Sequence, residues 1–496
     1  MTAIQGFFAL KDPGLLRGES FIAGQWVESD RTASVIDPAS AKPVFEVFQS
    51  DVAVVDEAVA HGSAAMAKWQ QFLPAQRGRI LRNWASIIRA HADDLATIIT
   101  VEQGKPITEA RGEIEYGAGF LDWFAAEGER FGAMTHPSHR PDTLSTNVMQ
   151  PVGLSVAITP WNFPMAMIAR KAGAALAAGC AMIVKPAPET PLSANALAVL
   201  AERAGVSAGV LQVIHGEPGP LSAALLEHPE LRAVSFTGST RVGRILLAQA
   251  AKTIKRATME LGGNAPFIVF ADADLDAAVE GCMIAKFATS GQDCLAANRI
   301  YVHDSLHDAF VEKLGERIAA LRVGTGLDPQ ADIGPMTVPI AVEKQVDLVE
   351  TACASGAKVV ARAEMPGSPG YFVPPTLLTG VDDSMDIARE EIFGPLVPVL
   401  RFSDAQDVIA RANNTEMGLA AYVYTQSLTI AQAASNMLEF GMVAVNTPSF
   451  TGPPLPFGGW KQSGLGREGS TLGIYEYLEN KNVTYGGFSP AIIAAE

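Results

Sequence analysis

Between Leu154 and Phe270 the chain alternates short, continuously apolar runs with longer stretches whose apolar residues recur at helical spacing. The runs LSVAI (154–158), AMIVK (181–185), VLQVIHG (210–216), RAVSFTG (232–238) and RATMELG (256–262) predict strands. MIARKAGAALAAG (167–179) and LSANALAVLAERAG (192–205) predict helices, the second ended by Gly205. Strands rich in Val and Ile that lack polar alternation are covered on both faces, and helices between them make parallel β-α-β units. A second block of this kind runs from about Ala265 to Phe440. It opens with a strand at 266–270 and a helix at 274–288, and the Pro/Gly-rich MPGSPGYFVPP (365–375) must be a loop. Ser145–Gln150 and KNVTYGGF (481–488) read as strands outside either sheet, and MTHPSHRPDT (134–143) as an exposed turn. Strands outside a core sheet suit contacts between subunits. The pattern has no internal repeat.

Composition narrows the class. A chain of 496 residues, 48% hydrophobic and 18% charged, folds into two to four domains around a large core. The net charge of -16, with no Lys/Arg cluster, argues against nucleic acid and anionic membranes as partners. No apolar run reaches the length of about 18 residues that a membrane span needs. The first twenty residues lack a basic segment and a long apolar one, so no secretion signal is expected and the expected location is cytoplasmic. Cys180, Cys282, Cys294 and Cys353 show no CxxC spacing, which indicates neither a disulfide framework nor a zinc ribbon. His303 and His307 stand four apart, but Asp304-Ser305 between them read as a helix cap and HExxH is absent, so no metal site is expected.

Several segments carry possible chemistry. Cys294 in SGQDCLAANR is either a nucleophile or a small apolar filler. SFTGSTRVGRIL (235–246) is a strand running into a helix near Thr240. It is either an anion site at the helix N-terminus or an ordinary capped turn. The turn PWNFP can hold the Asn162 amide out of the sheet, where it would donate to an oxyanion or merely close an Asx turn. Glu260, at a strand end before two glycines, is either a general base or the partner of a nearby cation. Glu390 and Glu391, adjacent on a strand, face opposite ways and form no dyad. GLGREG (464–469) has the glycine spacing of a dinucleotide loop but follows loop sequence rather than a strand, and is rejected as one.

Together, PWNFP, VKPA, FTGS, ELGGNAP, GQDC, EEIFGP and PFGG occur in this order from FIAGQWVES (21–29) to SGLGREGS (463–470). In this the chain resembles the aldehyde dehydrogenase superfamily, and within it most the succinate-semialdehyde dehydrogenases. The resemblance implies an α/β fold with a Rossmann-type parallel-sheet cofactor domain (1–130 and 151–262). It also implies a second α/β catalytic domain (263–460) and oligomerisation segments (131–150 and 478–496) that join dimers or tetramers through a hairpin. It implies NAD(P)-dependent oxidation of an aldehyde, through a cysteine thiohemiacetal and thioester, to the acid. Cys294 falls on the nucleophile and Asn162 on the oxyanion donor. Glu260 falls on the base, with Lys171 and Glu468 as its supporting pair. Toward the cofactor, NADP or NAD, it places Ile158, Thr159, Pro160 and Trp161 after one strand, and Lys185, Pro188 and Glu189 after the next. Further along it places Gly219, then Phe236, Thr237, Gly238, Ser239 and Val242 at the anion turn, Leu261 and Gly262 beyond Glu260, and Glu391 with Phe393. Toward the substrate it places Phe163, Arg170 and Phe457, with Arg170 matching an arginine that binds the far carboxylate of succinate semialdehyde.

The departures shape what is expected. The family's usual acid three residues after Lys185 is replaced by Pro188, with Glu189 next, so NADP becomes as open as NAD. Ala288 replaces a second substrate arginine, and NTPSFTGPPLPFGG (446–459) is less Ser-rich than in the succinate-semialdehyde enzymes, which opens the pocket to a longer or more apolar aldehyde. Asp293 beside the nucleophile would raise the thiol pKa unless it points away. Ala296 leaves no second cysteine for a disulfide with Cys294. A cysteine hydrolase without redox chemistry would share Cys294 and Glu260 but would not need Lys185, Ser239 and Glu391 together.

Overall fold

The computed structural model describes residues 9–136, 138–140, 142–367 and 369–487. Two parallel-cored sheets carry the chain. The first is eight-stranded, with five parallel strands at its centre in the order Leu211–Val213, Met182–Lys185, Leu154–Ile158, Leu231–Thr237, Arg256–Glu260. Antiparallel strands finish both edges: Ser20–Ile22 and Gln25–Val27 on one side, Gly464–Leu465 on the other. GLGREG is therefore an edge strand and its exit, in keeping with its rejection as a dinucleotide loop. The predicted strands all form, shorter than read where the chain turns out of the sheet.

Helix Ala166–Ala178 explains its own composition. Every one of its residues is buried, between the sheet and helix Ile107–Glu127. A Cβ added at Gly173 would stand 3.2 Å from a Leu121 methyl. Only small residues let two helices and a sheet approach this closely. Gly179 ends the helix in the left-handed conformation (φ 101°).

The second sheet is seven-stranded, in the order Lys358–Arg362, Thr376–Thr379, Leu396–Phe402, Ala297–His303, Ala265–Val269, Ala420–Tyr424, Met442–Val445. All its pairs are parallel except the first. Each of the two sheets is sandwiched by its own apolar clusters. A third, three-stranded antiparallel sheet stands apart, with Thr143–Pro151 between Leu478–Gly486 and Met134–His136. Two expectations are corrected here. Met134–His136 is a strand paired with Ser145–Asn147, not part of a turn. The cap of helix Asp304–Ala319 is His303, whose Nδ1 accepts from the Ser305 amide; a ring nitrogen fills the place expected of Asp304-Ser305. The end of the C-terminal oligomerisation segment, 488–496, lies outside the described residues.

Candidate active site

Cys294 lies between helix Leu275–Phe287 and strand Ala297–His303. The chain reaches it through Thr289, Ser290 and Gly291, all with positive φ (52°, 59° and 75°). Two non-glycine residues in that region are strained, and surrounding bonds must hold them there. The Thr289 amide donates to Glu109 Oε2 (2.6 Å), the Ser290 hydroxyl to the Gly334 carbonyl (2.9 Å), and the Thr337 amide to Gln292 Oε1 (2.9 Å). Opposite, Gly263 admits the loop: a Cβ there would stand 2.5 Å from the Cys294 carbonyl oxygen.

Two cavities meet at this cysteine. One, of about 550 Å³, is lined by Phe163, Arg170 and Phe457 among others. The other, of about 240 Å³, is lined by Pro160, Trp161, Gly238, Ser239, Glu260, Leu261, Gly262, Glu391 and Phe393. Cys294, Asn162 and Thr237 line both. The predicted nucleophile and oxyanion donor thus form the wall between a predicted substrate pocket and a predicted cofactor pocket.

Asn162 is fixed from two sides. Its Nδ2 donates to the Gln292 carbonyl (2.9 Å), and its own carbonyl accepts from Lys105 Nζ (2.6 Å). Lys105 is paired with Glu113 (2.7 Å) in full burial, and Glu113 in turn accepts from the Met165 and Ala166 amides. A primary amide has two N–H bonds. Gln292 is the acceptor recorded for one, so the second can serve a ligand oxygen.

Burial pushes the Cys294 thiol well above its usual pKa. Asp293, Glu391 and Glu260 push the same way, and Arg170 opposes them. The hope that Asp293 points away is not met. Asp293 Oδ1 accepts from the Leu295 amide (3.0 Å), and its carboxylate stays close enough to disfavour the thiolate.

Glu260 ends its strand 2% exposed, and neither carboxylate oxygen has a hydrogen-bond partner among the described residues. Burial raises its pKa far above the carboxylate range and the charge of Glu468 adds to that, while Arg170 and Lys171 pull it back. Glu468 goes the other way. Burial works to raise it, but Lys171 and Arg170 prevail and hold it below its ordinary value. Lys171 Nζ donates to Glu468, to Ser235 Oγ (2.9 Å) and to Thr237 Oγ1 (2.8 Å). Arg170 Nε stands 2.6 Å from Glu468 Oε2. The expected Lys171–Glu468 pair is present, with Arg170 as its third member.

The cofactor candidates follow the C-terminal ends of the parallel strands, where open α/β sheets bind their ligands. Ile158 is in register with Lys185 and with Phe236, and Thr237 with Glu260. Helix Thr240–Ala251 starts there with Ser239 as its cap, accepting from the Val242 amide (3.3 Å). Glu391 lies in a loop after the short helix Asp386–Arg389, and although the Glu390 backbone is extended, this corrects the strand reading of 390–391. One of its oxygens accepts from the Gly263 amide (2.9 Å), and burial pushes its pKa up to about 7. Trp161 and Phe393 meet edge to face at 5.5 Å at this cavity. Thr159 Oγ1 is buried without a partner among the described residues. An amide-rich helix end and a carboxylate with an oxygen to spare fit a dinucleotide. Ile158, Thr159, Lys185, Pro188, Glu189, Gly219, Phe236 and Val242 do not line the smaller cavity. Lys185 instead donates to the Pro186 carbonyl (2.9 Å), and burial lowers its pKa to about 8 against the pull of Glu189.

Lys105, Glu109, Glu113 and Tyr116 escaped the sequence reading. The signal was there: Glu109, Glu113 and Tyr116 recur at helical spacing on one face of Ile107–Glu127, a helix otherwise packed by apolar residues.

The model of the aldehyde dehydrogenase family matches residues 26–483. The chain is 51% identical to an aspartate-semialdehyde dehydrogenase (non-phosphorylating) of Halomonas elongata, over 95% of this chain and 96% of that one. It is 46% identical to an NADP(+) succinate-semialdehyde dehydrogenase of Escherichia coli, over 96% and 99%. A crystal structure of an aldehyde dehydrogenase from Brucella melitensis biovar abortus superposes with a TM-score of 0.95 at 49% identity, over 97% and 99%. These matches define an NAD(P)-dependent oxidoreductase class. The chain belongs to the aldehyde dehydrogenase family.

Proposed function

We propose that this protein oxidises a carboxylate-bearing semialdehyde, of the succinate-semialdehyde type, to the acid with NADP or NAD. The observation that carries the proposal is the position of Cys294 in the wall shared by the two cavities. An aldehyde in the larger one and a hydride acceptor in the smaller one would flank a single sulfur. The relatives named above support the carboxylate, since both named semialdehydes carry one. Arg170 supports it too: it lines the larger cavity, and Nη1 has no partner among the described residues.

Cys294 Sγ attacks the aldehyde carbon. Asn162 Nδ2 and the Cys294 amide hold the oxyanion that forms. A nicotinamide held in the smaller cavity would supply the acceptor for the hydride that leaves the thiohemiacetal carbon, and the thioester would remain on Cys294. Glu260 takes a proton from the water that cleaves the thioester, and a carboxylate with a raised pKa is a competent base near neutral pH. Burial and the Glu468 charge raise that pKa, and the Arg170 and Lys171 charges pull it back. Ser239 and its helix would hold the pyrophosphate, and Glu391 the nicotinamide ribose. Burial pushes the Glu189 pKa up while Lys185 beside it pulls it back, and that adjacent cation supports NADP alongside NAD.

We also propose that copies of this chain associate through the three-stranded sheet.

The deciding experiment follows reduced-cofactor absorbance with succinic, glutaric and neutral aldehydes, NAD and NADP in parallel. Preference for the carboxylate-bearing substrates supports the proposal. A higher kcat/KM for the neutral aldehyde refutes the carboxylate part and leaves only aldehyde oxidation.

A further inference from the structure

A closed ring of hydrogen bonds leaves Asn162 and returns to it through the segment that leads to Cys294. Asn162 Nδ2 donates to the Gln292 carbonyl (2.9 Å). Gln292 Oε1 accepts from the Thr337 amide (2.9 Å). Thr337 Oγ1 accepts from Gln103 Nε2 (3.1 Å) and donates to the Gln103 carbonyl (2.8 Å). Gln103 Oε1 accepts from the Lys105 amide (2.9 Å), and Lys105 Nζ closes the ring on the Asn162 carbonyl (2.6 Å). Every member is buried, and Lys105 is the only charged one. Its Nζ also donates to Glu113 (2.7 Å) and stands 4.0 Å from the centre of the Phe163 ring, so its three N–H bonds are all engaged. The backbone is shaped to bring these residues together. Gly104 turns the chain between helices Ala92–Gln103 and Ile107–Glu127 with a φ of 102°. A Cβ at Gly334 would stand 2.1 Å from the Gly104 carbonyl oxygen, and one at Gly326 2.3 Å from that of Lys105.

An Asn amide turns about its last torsion at little cost, and a half turn exchanges its nitrogen for its oxygen. Only the nitrogen can serve an oxyanion. The Gln292 carbonyl selects it, because a carbonyl accepts from Nδ2 and not from Oδ1. Lys105 fixes the backbone from which that side chain is aimed. Gln292 stands two residues before Cys294, so the same ring ties the amide to the loop of the nucleophile. We infer that Lys105 is a positioning residue, which through this ring holds the Asn162 amide in register with Cys294. Lys105 lines neither cavity, so it acts through Asn162 rather than on a ligand. The inference rests on the proposed aldehyde oxidation at Cys294.

Lys105→Met alone would strand the Glu113 carboxylate in the interior. Lys105→Met combined with Glu113→Gln removes both charges at nearly constant shape and leaves the net charge as it is. The first readout is the single-turnover rate of cofactor reduction, with enzyme in excess over succinic semialdehyde and NADP present. The second is the rate at which iodoacetamide alkylates Cys294, read on its peptide by mass spectrometry. Alkylation forms no oxyanion, so it reports on the sulfur and not on Asn162. In the double variant reduction should slow by about tenfold or more, the effect of a misplaced oxyanion donor. Alkylation and NADP affinity should stay at their wild-type values. Thr337→Val breaks two bonds of the ring without a change of charge, and should slow reduction in the same selective way. It decides the matter if the double variant does not fold. Reduction at the wild-type rate, or reduction and alkylation slowed alike, overturns the positioning role. A wild type that oxidises no aldehyde refutes the proposed function instead.

Discussion

Cys294 and Glu260 both have pKa values pushed upward, against the ionised forms that the proposed mechanism uses. Burial and three carboxylates keep the thiol protonated, and burial with Glu468 keeps Glu260 neutral at acid pH. Each must lose a proton to act, so the rate should rise with pH. For deacylation the sign follows from Glu260 being active only when ionised: its limb lies well above the usual carboxylate range, and kcat should climb through it. Glu260→Gln removes this base. Steady-state kcat should then drop by about a hundredfold or more, while a pre-steady-state burst of one reduced cofactor per subunit survives, because acylation does not need the water. Loss of the burst along with the steady state would assign Glu260 to an earlier step. Cys294→Ala should abolish both phases and still bind the dinucleotide, as read by fluorescence titration. Residual oxidation would mean another nucleophile.

Helix Ala166–Ala178 and the Gly464–Leu465 edge strand meet through one ion cluster, since Arg170 and Lys171 come from the first and Glu468 follows the second. Removing the anion leaves two buried cations unpaired. Glu468→Gln should cost about 3–5 kcal/mol in stability, read by chemical denaturation. It should also shift the Glu260 limb to lower pH, because the charge that raises Glu260 is gone and the two that lower it remain. A limb that stays in place would detach this cluster from the base. Elements of this kind were largely legible in the sequence. Strand and helix periods located the parallel strands, and the ordered motifs placed Cys294, Asn162 and Glu260 at one point. Of the ion cluster only the Lys171–Glu468 pair was legible, and by resemblance; Arg170 was read as a substrate contact alone, since Arg170 and Glu468 are 298 positions apart and no local pattern couples them. Glu109 and Glu113 were missed for a related reason: their partners, Thr289 and Lys105, lie in other segments, and a charged stripe on a helix normally means solvent.

At the scale of the molecule, the three-stranded sheet is the feature that a lone chain leaves unfinished. Its outer strands, Leu478–Gly486 and Met134–His136, each have one side without a strand partner among the described residues, and the nine-residue strand Leu478–Gly486 is long for such an edge. Solitary long edges invite pairing with another chain. Apolar side chains on the same sheet are open to solvent: Met134 is 62% exposed, Tyr485 53% and Leu144 38%. A second copy of the chain would cover both features at once. Replacing Met134, Leu144 and Tyr485 together by Lys adds three like charges to each face of such a contact. The mass measured by light scattering should fall toward that of one chain, 52.3 kDa. Both cavities at Cys294 are lined by residues outside this sheet. The dissociated form should therefore keep its dinucleotide affinity, and any loss of turnover should track thermal stability rather than KM. An unchanged mass would place the contact between copies elsewhere on the surface.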